Sequence, residues 1–176
     1  MLIMDGNLRR IKVLAMIKGS NCALSASFLA KELSVSRQVI VGDVALLRAE
    51  GQEIIATARG YIVQNIAKKN QYTRKIACQH TSEQTIDELY LLVDLGARVD
   101  DVVIEHEVYG ELTGHLGIEN RADADLFIKK LETSQSRLLS ELTMGIHLHT
   151  LSCRNKEHFV EVMDAMREAG YLVNEK

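Results

Sequence analysis

Only two residues, Ser34 and Val35, separate one helical apolar pattern from the next. Ser25 is placed to cap the first helix, expected over 26–33, with Phe28, Leu29 and Leu33 as its apolar side and Ala30 small enough for a close crossing. Ser36 is placed to cap the second, where Ile40, Val44 and Leu47 recur at helical spacing. Gly51 follows, where a left-handed residue past a helix end is expected. Two helices joined by so short a turn are the signature of a helix-turn-helix. The outer face of the second helix carries Arg37, Gln38, Val41 and Gly42. Its first turn is the part of a recognition helix that reaches base edges. Arg37 can pair bidentately with guanine and Gln38 with adenine, while Val41 and Gly42 let the backbone approach duplex closely. Ser36, Arg37, Gln38 and Val41 are therefore candidate DNA contacts.

The flanking segments complete a winged module. Asn7 or Asp5 can cap an initial helix, with Leu8, Ile11, Leu14 and Ile17 as its expected buried stripe and Lys18-Gly19 closing it. After Gly51 the period changes. Residues 53–57 and 60–63 are short β-prone runs around Ala58-Arg59-Gly60, which reads as a hairpin wing. Arg59 at its tip can reach a phosphate or the minor groove. Residues 1–64 carry eight Lys/Arg against five Asp/Glu, whereas residues 65–176 carry thirteen against nineteen. A mildly basic front on an acidic back fits a DNA-binding domain joined to a different one. Leu29-Ala30, Leu33-Ser34-Val35-Ser36-Arg37-Gln38, Leu47-Arg48-Ala49-Glu50-Gly51, Ile54 and Gly60-Tyr61 together resemble the winged helix of the biotin-repressor type.

The polar run around Lys68-Lys69-Asn70 marks a linker over 65–71 between a domain at 1–64 and one at 72–176. In the second domain, strands are expected over 73–80, 99–106, 107–116, 144–153 and 171–173. Helices begin at a Thr81/Gln84 capping box, at Asn120 and at Asn155. The first of these helices shows Ile86, Leu89, Tyr90 and Val93 as one stripe; the last shows Phe159, Val160, Met163 and Met166. The order predicts an α+β fold: a sandwich of a mainly antiparallel sheet with helices on one face, behind an N-terminal winged helix-turn-helix. Cys22, Cys78 and Cys153 are odd in number and far apart, which points to a reducing cytoplasm, with Cys78 and Cys153 as small apolar strand residues. No apolar run reaches the length of a membrane span, and Arg9, Arg10 and Lys12 interrupt the start, so no secretory signal is expected.

Of six histidines, His147 and His149 are the informative pair, because residues two apart in a strand project the same way. Neutral imidazoles side by side suit a divalent metal. His80 ends another strand, and Glu83, Asp87 and Glu88 follow on the next helix, with none singled out by spacing. His115 and His158 read as surface residues.

Gln79-His80-Thr81, Glu88-Leu89, Asp94-Leu95-Gly96, Asp101-Val102, Glu105-His106, Val108-Tyr109-Gly110, Arg121, Phe127 and Gly145-Ile146-His147-Leu148-His149-Thr150 are similar to the three-histidine domain. That domain stands behind a biotin-repressor-type winged helix in niacin-responsive transcriptional repressors. The resemblance implies a repressor of NAD synthesis, salvage or niacin-uptake genes, with nicotinic acid as co-repressor. It implies a divalent metal, nickel- or zinc-like, held by His80, Glu88, His147 and His149; iron and cobalt suit the same donors. It places His106 and Tyr109 near the effector. The expected partner is a double-stranded operator, bound as a homodimer across an inverted repeat, with no membrane partner. Two other readings stand beside it: a metallohydrolase whose imidazoles activate water, and a metal-sensing repressor with no organic effector.

Overall fold

The computed structural model describes residues 5–63 and 71–173, so the linker expected over 65–71 lies, save for Gln71, outside the described residues. The chain divides into two compact units, Met1–Ala67 and Lys68–Lys176.

Three serine or aspartate caps build the amino-terminal unit. Asp5 accepts the Asn7 and Leu8 amides at 2.8 and 3.3 Å to start α1 (Gly6–Gly19). Ser25 accepts the Phe28 amide at 3.1 Å to start α2 (Ala26–Glu32). Ser36 accepts the Val39 amide at 3.3 Å to start α3 (Arg37–Ala49). A single left-handed residue, Ser34 at φ +52°, turns the chain between α2 and α3. Gly51, at φ +91°, follows α3 as expected. The wing is an antiparallel hairpin of β1 (Ile54–Thr57) and β2 (Gly60–Val63).

Val13, Ile17, Leu29, Ile40, Val44 and Leu47 form its core. Each fully buried aliphatic side chain contributes roughly 1.5–3 kcal/mol. The α1 stripe holds in its second half, where Ile17 is buried and Leu14 half-buried, but differs in its first: Leu8 and Ile11 are exposed, and Val13 is buried. The reason is a charged inner position. Arg9 turns inward to grip buried Asp43 of α3 through Nε to Oδ2 at 2.6 Å and Nη2 to Oδ1 at 3.0 Å. Apolar periodicity cannot register a helix face whose first turn is held by an ion pair. Phe28 is likewise exposed, and α2 buries Ala26, Leu29 and Ala30.

The second unit is one four-stranded sheet, order β3-β6-β4-β5, antiparallel throughout. Its strands are β3 (Tyr72–Gln79), β4 (Arg98–His106), β5 (Gly110–Ile118) and β6 (Ile146–Cys153). Helices α4 (Thr85–Asp94), α5 (Arg121–Ser134) and α6 (Lys156–Glu168) pack on it, with α4 also against α5 and α6. On the opposite face Lys75, Ala77, Thr113 and His115 are exposed. The buried face of α4 overlaps the expected stripe at Leu89 and Val93. Glu88, Leu89, Leu92 and Val93 are buried, whereas Ile86 and Tyr90 are half-buried. Val160, expected inside α6, is exposed, and Val162 is buried instead. His158, expected on the surface, is buried: its Nε2–H donates to the Leu95 carbonyl at 2.7 Å and its Nδ1 accepts the Arg154 amide at 3.2 Å. The last expected strand is a single bridge, Leu172 beside Cys78. Short 3-10 turns at Ser82–Gln84 and Leu139–Thr143 have no apolar pattern to announce them.

Gly60 shows what the wing requires. Leu24 and Tyr61 exchange both backbone bonds, at 3.0 and 2.8 Å, tying the hairpin to the segment before α2. Gly60 has φ +138°, and a Cβ there would stand 2.5 Å from the Leu24 carbonyl. Gly60→Ala is expected to lower amide-exchange protection of α3 in the full chain by about 2 kcal/mol or more. Gly42→Ala, in open space on α3, is expected to raise it by about 1 kcal/mol through helix propensity. Equal effects would contradict the close approach.

Candidate functional site

Strand periodicity brings the donors together. Ile76 and Cys78 face α4 from β3, and His80 follows just beyond the strand's end. In the β3–β6 register Cys78 lies opposite His147 and Ile76 opposite His149. Across this face lies α4, presenting Glu88 at 0 % exposure. His80, Glu88, His147 and His149 are thereby gathered at one buried point. The His147 ring lies edge-on to both other rings, with centroids 4.8 Å apart in each case. The Glu88 Oε2 is 2.7 Å from His80 Nε2, 3.4 Å from His149 Nε2 and 3.6 Å from His147 Nε2.

The far side of each ring fixes its tautomer. His80 Nδ1 meets the Thr81 carbonyl at 2.8 Å, His147 Nδ1 the Gly145 carbonyl at 2.9 Å, and His149 Nδ1 the Asp101 carbonyl at 2.7 Å. A carbonyl only accepts, so each Nδ1 carries a proton. In a neutral ring Nε2 then offers a lone pair, and all three are turned toward a carboxylate. Lone pairs and a carboxylate repel unless a proton or a metal cation stands between them. Electrostatics agree. Burial pushes the Glu88 carboxyl up, but the charge of His149 and hydrogen bonds from the three imidazoles outweigh it and hold the carboxyl well below its ordinary range. Burial pulls His80 and His149 down, and Glu88 outweighs it and raises both. The second carboxylate oxygen, Oε1, is buried with no hydrogen-bond partner among the described residues. A buried anionic oxygen without a donor is costly, and coordination to a cation removes the cost.

Cys78 belongs to the same cluster. Its Sγ, a Glu88 carboxylate oxygen and a His147 ring nitrogen all lie within 4.8 Å of one another. Burial, and then Glu88, raise the thiol above its ordinary range. Sequence reasoning took Cys78 as an apolar filler. The signal that could have found it is its place two residues before His80 on the same strand face.

Close approach fixes one more position. Gly145 has φ +86°, and a Cβ there would lie 2.2 Å from the His80 carbonyl oxygen. No other residue lets the turn before β6 press on the His80 backbone. Beside His80 a cavity of about 640 Å³ opens, with Gln79, Glu83, Arg137, Ser140 and Met144 in its walls. Arg137 Nε donates to Glu141 at 2.8 Å within it. His106 and Tyr109 stand elsewhere, at the turn joining β4 to β5. There the His106 Nδ1 accepts the Val108 and Tyr109 amides at 3.1 and 3.3 Å, and Tyr109 is exposed. They are not among the residues lining the cavity.

On α3, Ser36, Arg37 and Gln38 are exposed at the first turn, and Gly42 is exposed one turn on. Val41, expected on that outer face, is half-buried and packs against the core. Arg59 sits at the turn of the wing, where its amide donates to Thr57 Oγ1 at 3.2 Å.

Comparison with known proteins follows the same division. Residues 9–62 match the HTH domain and residues 73–175 the 3H domain. The chain is 43 % identical to the transcription repressor NadR of Bacillus subtilis, over 95 % of this chain and 94 % of that one. It is 36 % identical to the probable transcription repressor NiaR of Thermotoga maritima, over 93 % and 92 % of the two chains. The metallohydrolase reading falls with these matches, since both relatives are named as repressors. With an exposed, capped α3 in front and a histidine–carboxylate cluster behind, the chain belongs to the family of transcription repressors that join an HTH domain to a 3H domain, and is a DNA-binding regulator rather than an enzyme.

Proposed function

We propose that this regulator represses genes of NAD synthesis, salvage or niacin uptake in the cytoplasm. In this reading nicotinic acid is the co-repressor and a divalent metal sits in the 3H domain. The names of the two relatives support the gene class. One observation carries the metal: three imidazoles whose Nδ1–H groups are tied to carbonyls turn their Nε2 atoms on a buried carboxylate that has an unpartnered oxygen. Such carbonyl bonds are how proteins orient metal-ligating histidines. His80, Glu88, His147 and His149 would hold the ion, and the softness of three imidazoles suits zinc, nickel, iron or cobalt. When bound, such an ion supplies a Lewis-acidic seat for a pyridine nitrogen or a carboxylate.

The chain's own residues do the rest. The cavity beside His80 is the seat we assign to the pyridine carboxylate. Ser36, Arg37 and Gln38 at the start of α3 and Arg59 of the wing are the assigned DNA contacts; Val41, packed against the core, is not among them. A homodimer would set two such helices about 34 Å apart on an inverted repeat. Nicotinate strengthens repression only by binding the operator-competent state more tightly than the other.

Two measurements test this. Elemental analysis of the full chain is expected to find one divalent ion per chain and almost none in a variant with both His147→Ala and His149→Ala; full occupancy in that variant would refute the site. Fluorescence anisotropy on an operator from a niacin gene is expected to show tighter binding with nicotinic acid. Arg37→Ala should weaken binding about tenfold or more and leave metal content unchanged. An affinity that responds to metal and ignores nicotinic acid would replace the co-repressor with direct metal sensing.

A further inference from the structure

Cys78 has the wrong surroundings for a filler. A small apolar residue gains nothing from a place against a buried, ionised carboxylate. Cys153, buried on the same inner side of the sheet, shows the ordinary case, with burial alone acting on its thiol. Cys78 is fully buried, is paired in register with His147, and shares one cluster with the Glu88 carboxylate and a His147 nitrogen, all within 4.8 Å. The Glu88 Oε1, equally buried, has no partner of its own. Two potential ligand atoms of different softness, a thiol sulfur and a carboxylate oxygen, thus lie within 4.8 Å of one histidine nitrogen.

Resting on the metal centre proposed above, we infer that the Cys78 Sγ is a further donor to that ion, sharing it with Glu88 and His147, and that the centre selects thiophilic cations. A thiolate ligand favours zinc, cobalt and nickel and disfavours magnesium and manganese. A site of imidazole and carboxylate alone discriminates less. On binding, the S–H bond breaks, the proton passes to solvent and the sulfur lone pair joins the ion, with no change in oxidation state.

The test is the electronic spectrum of the full chain loaded with Co(II). The expected spectrum has visible d–d bands and a near-ultraviolet sulfur-to-cobalt charge-transfer band. Cys78→Ser and Cys78→Ala should lose the charge-transfer band and keep the d–d bands, while Cys153→Ser keeps both. In chelator competition, the preference for Zn(II) over Mn(II) should fall about tenfold or more in the Cys78 variants. Wild-type d–d bands without the charge-transfer band overturn the inference and leave the metal centre standing. A charge-transfer band that survives both Cys78 variants overturns it as well. No d–d bands in the wild-type chain would remove the metal centre itself. If neither Cys78 variant folds, the wild-type spectrum alone still decides.

Discussion

A carboxylate at 0 % exposure between a sheet and a helix is the constraint around which the second unit is built. An isolated charge there would be driven to neutrality, so Glu88 must have partners or give up its ionisation. It has three imidazoles, and each is held from behind by a different piece of backbone: Thr81 after β3, Gly145 before β6, and Asp101 in β4. Strands β3, β4 and β6 and helix α4 thus share one electrostatic problem. Gly145 belongs to the same solution, because only a residue without Cβ brings the start of β6 against the His80 carbonyl.

The sequence revealed some of this far better than the rest, for physical reasons. Caps are local: Asp5, Ser25, Ser36, Asn120 and Asn155 each accept an amide two or three residues on, and all five start the helices expected of them. Strand period is also local, and it put His147 and His149 side by side. What failed was the assumption that inward means apolar. Arg9 faces inward to reach Asp43, and Leu8 and Ile11 of the expected α1 stripe are exposed, while Ile17 stays buried. Glu88 faces inward on α4, so the expected stripe holds at Leu89 and Val93 while its flank at Ile86 and Tyr90 is only half-buried. His158 is buried because one ring nitrogen meets the nearby Arg154 amide and the other the Leu95 carbonyl, which only the fold brings within reach. Each of these errors has one origin. A buried polar group is admitted by its partner, and the partner is distant in sequence by 34 residues for Arg9 and Asp43, and 63 for His158 and Leu95.

The two units differ in how they use polar burial. The amino-terminal unit seals its polar pair: Arg9 and Asp43 satisfy each other in a bidentate contact, which fixes α1 against α3 and leaves no valence for a ligand. That arrangement suits the proposed role of α3, to present Arg37 and Gln38 to duplex in one geometry. In the 3H domain the cluster keeps valence in reserve. Oε1 of Glu88 has no donor, the Nε2 atoms converge on a single oxygen, and a cavity reaches the His80 side. Polar burial is closed in one unit and left open to the proposed cation in the other.

Incompleteness of this kind is a source of switching energy. To move a two-state regulator from about 1 % to about 99 % in one state, a ligand must prefer that state by roughly 10⁴-fold, about 5.5 kcal/mol. A surface site of screened charges offers far less, since exposed ion pairs contribute at most about 1 kcal/mol each. Here the charges are buried, drawn from three strands and a helix, and unresolved until a cation or protons occupy the space between them. Occupancy by the proposed cation would therefore act on the stability of the whole cluster at once. A site that left its core fully satisfied when empty would bind its ligand and have nothing to report.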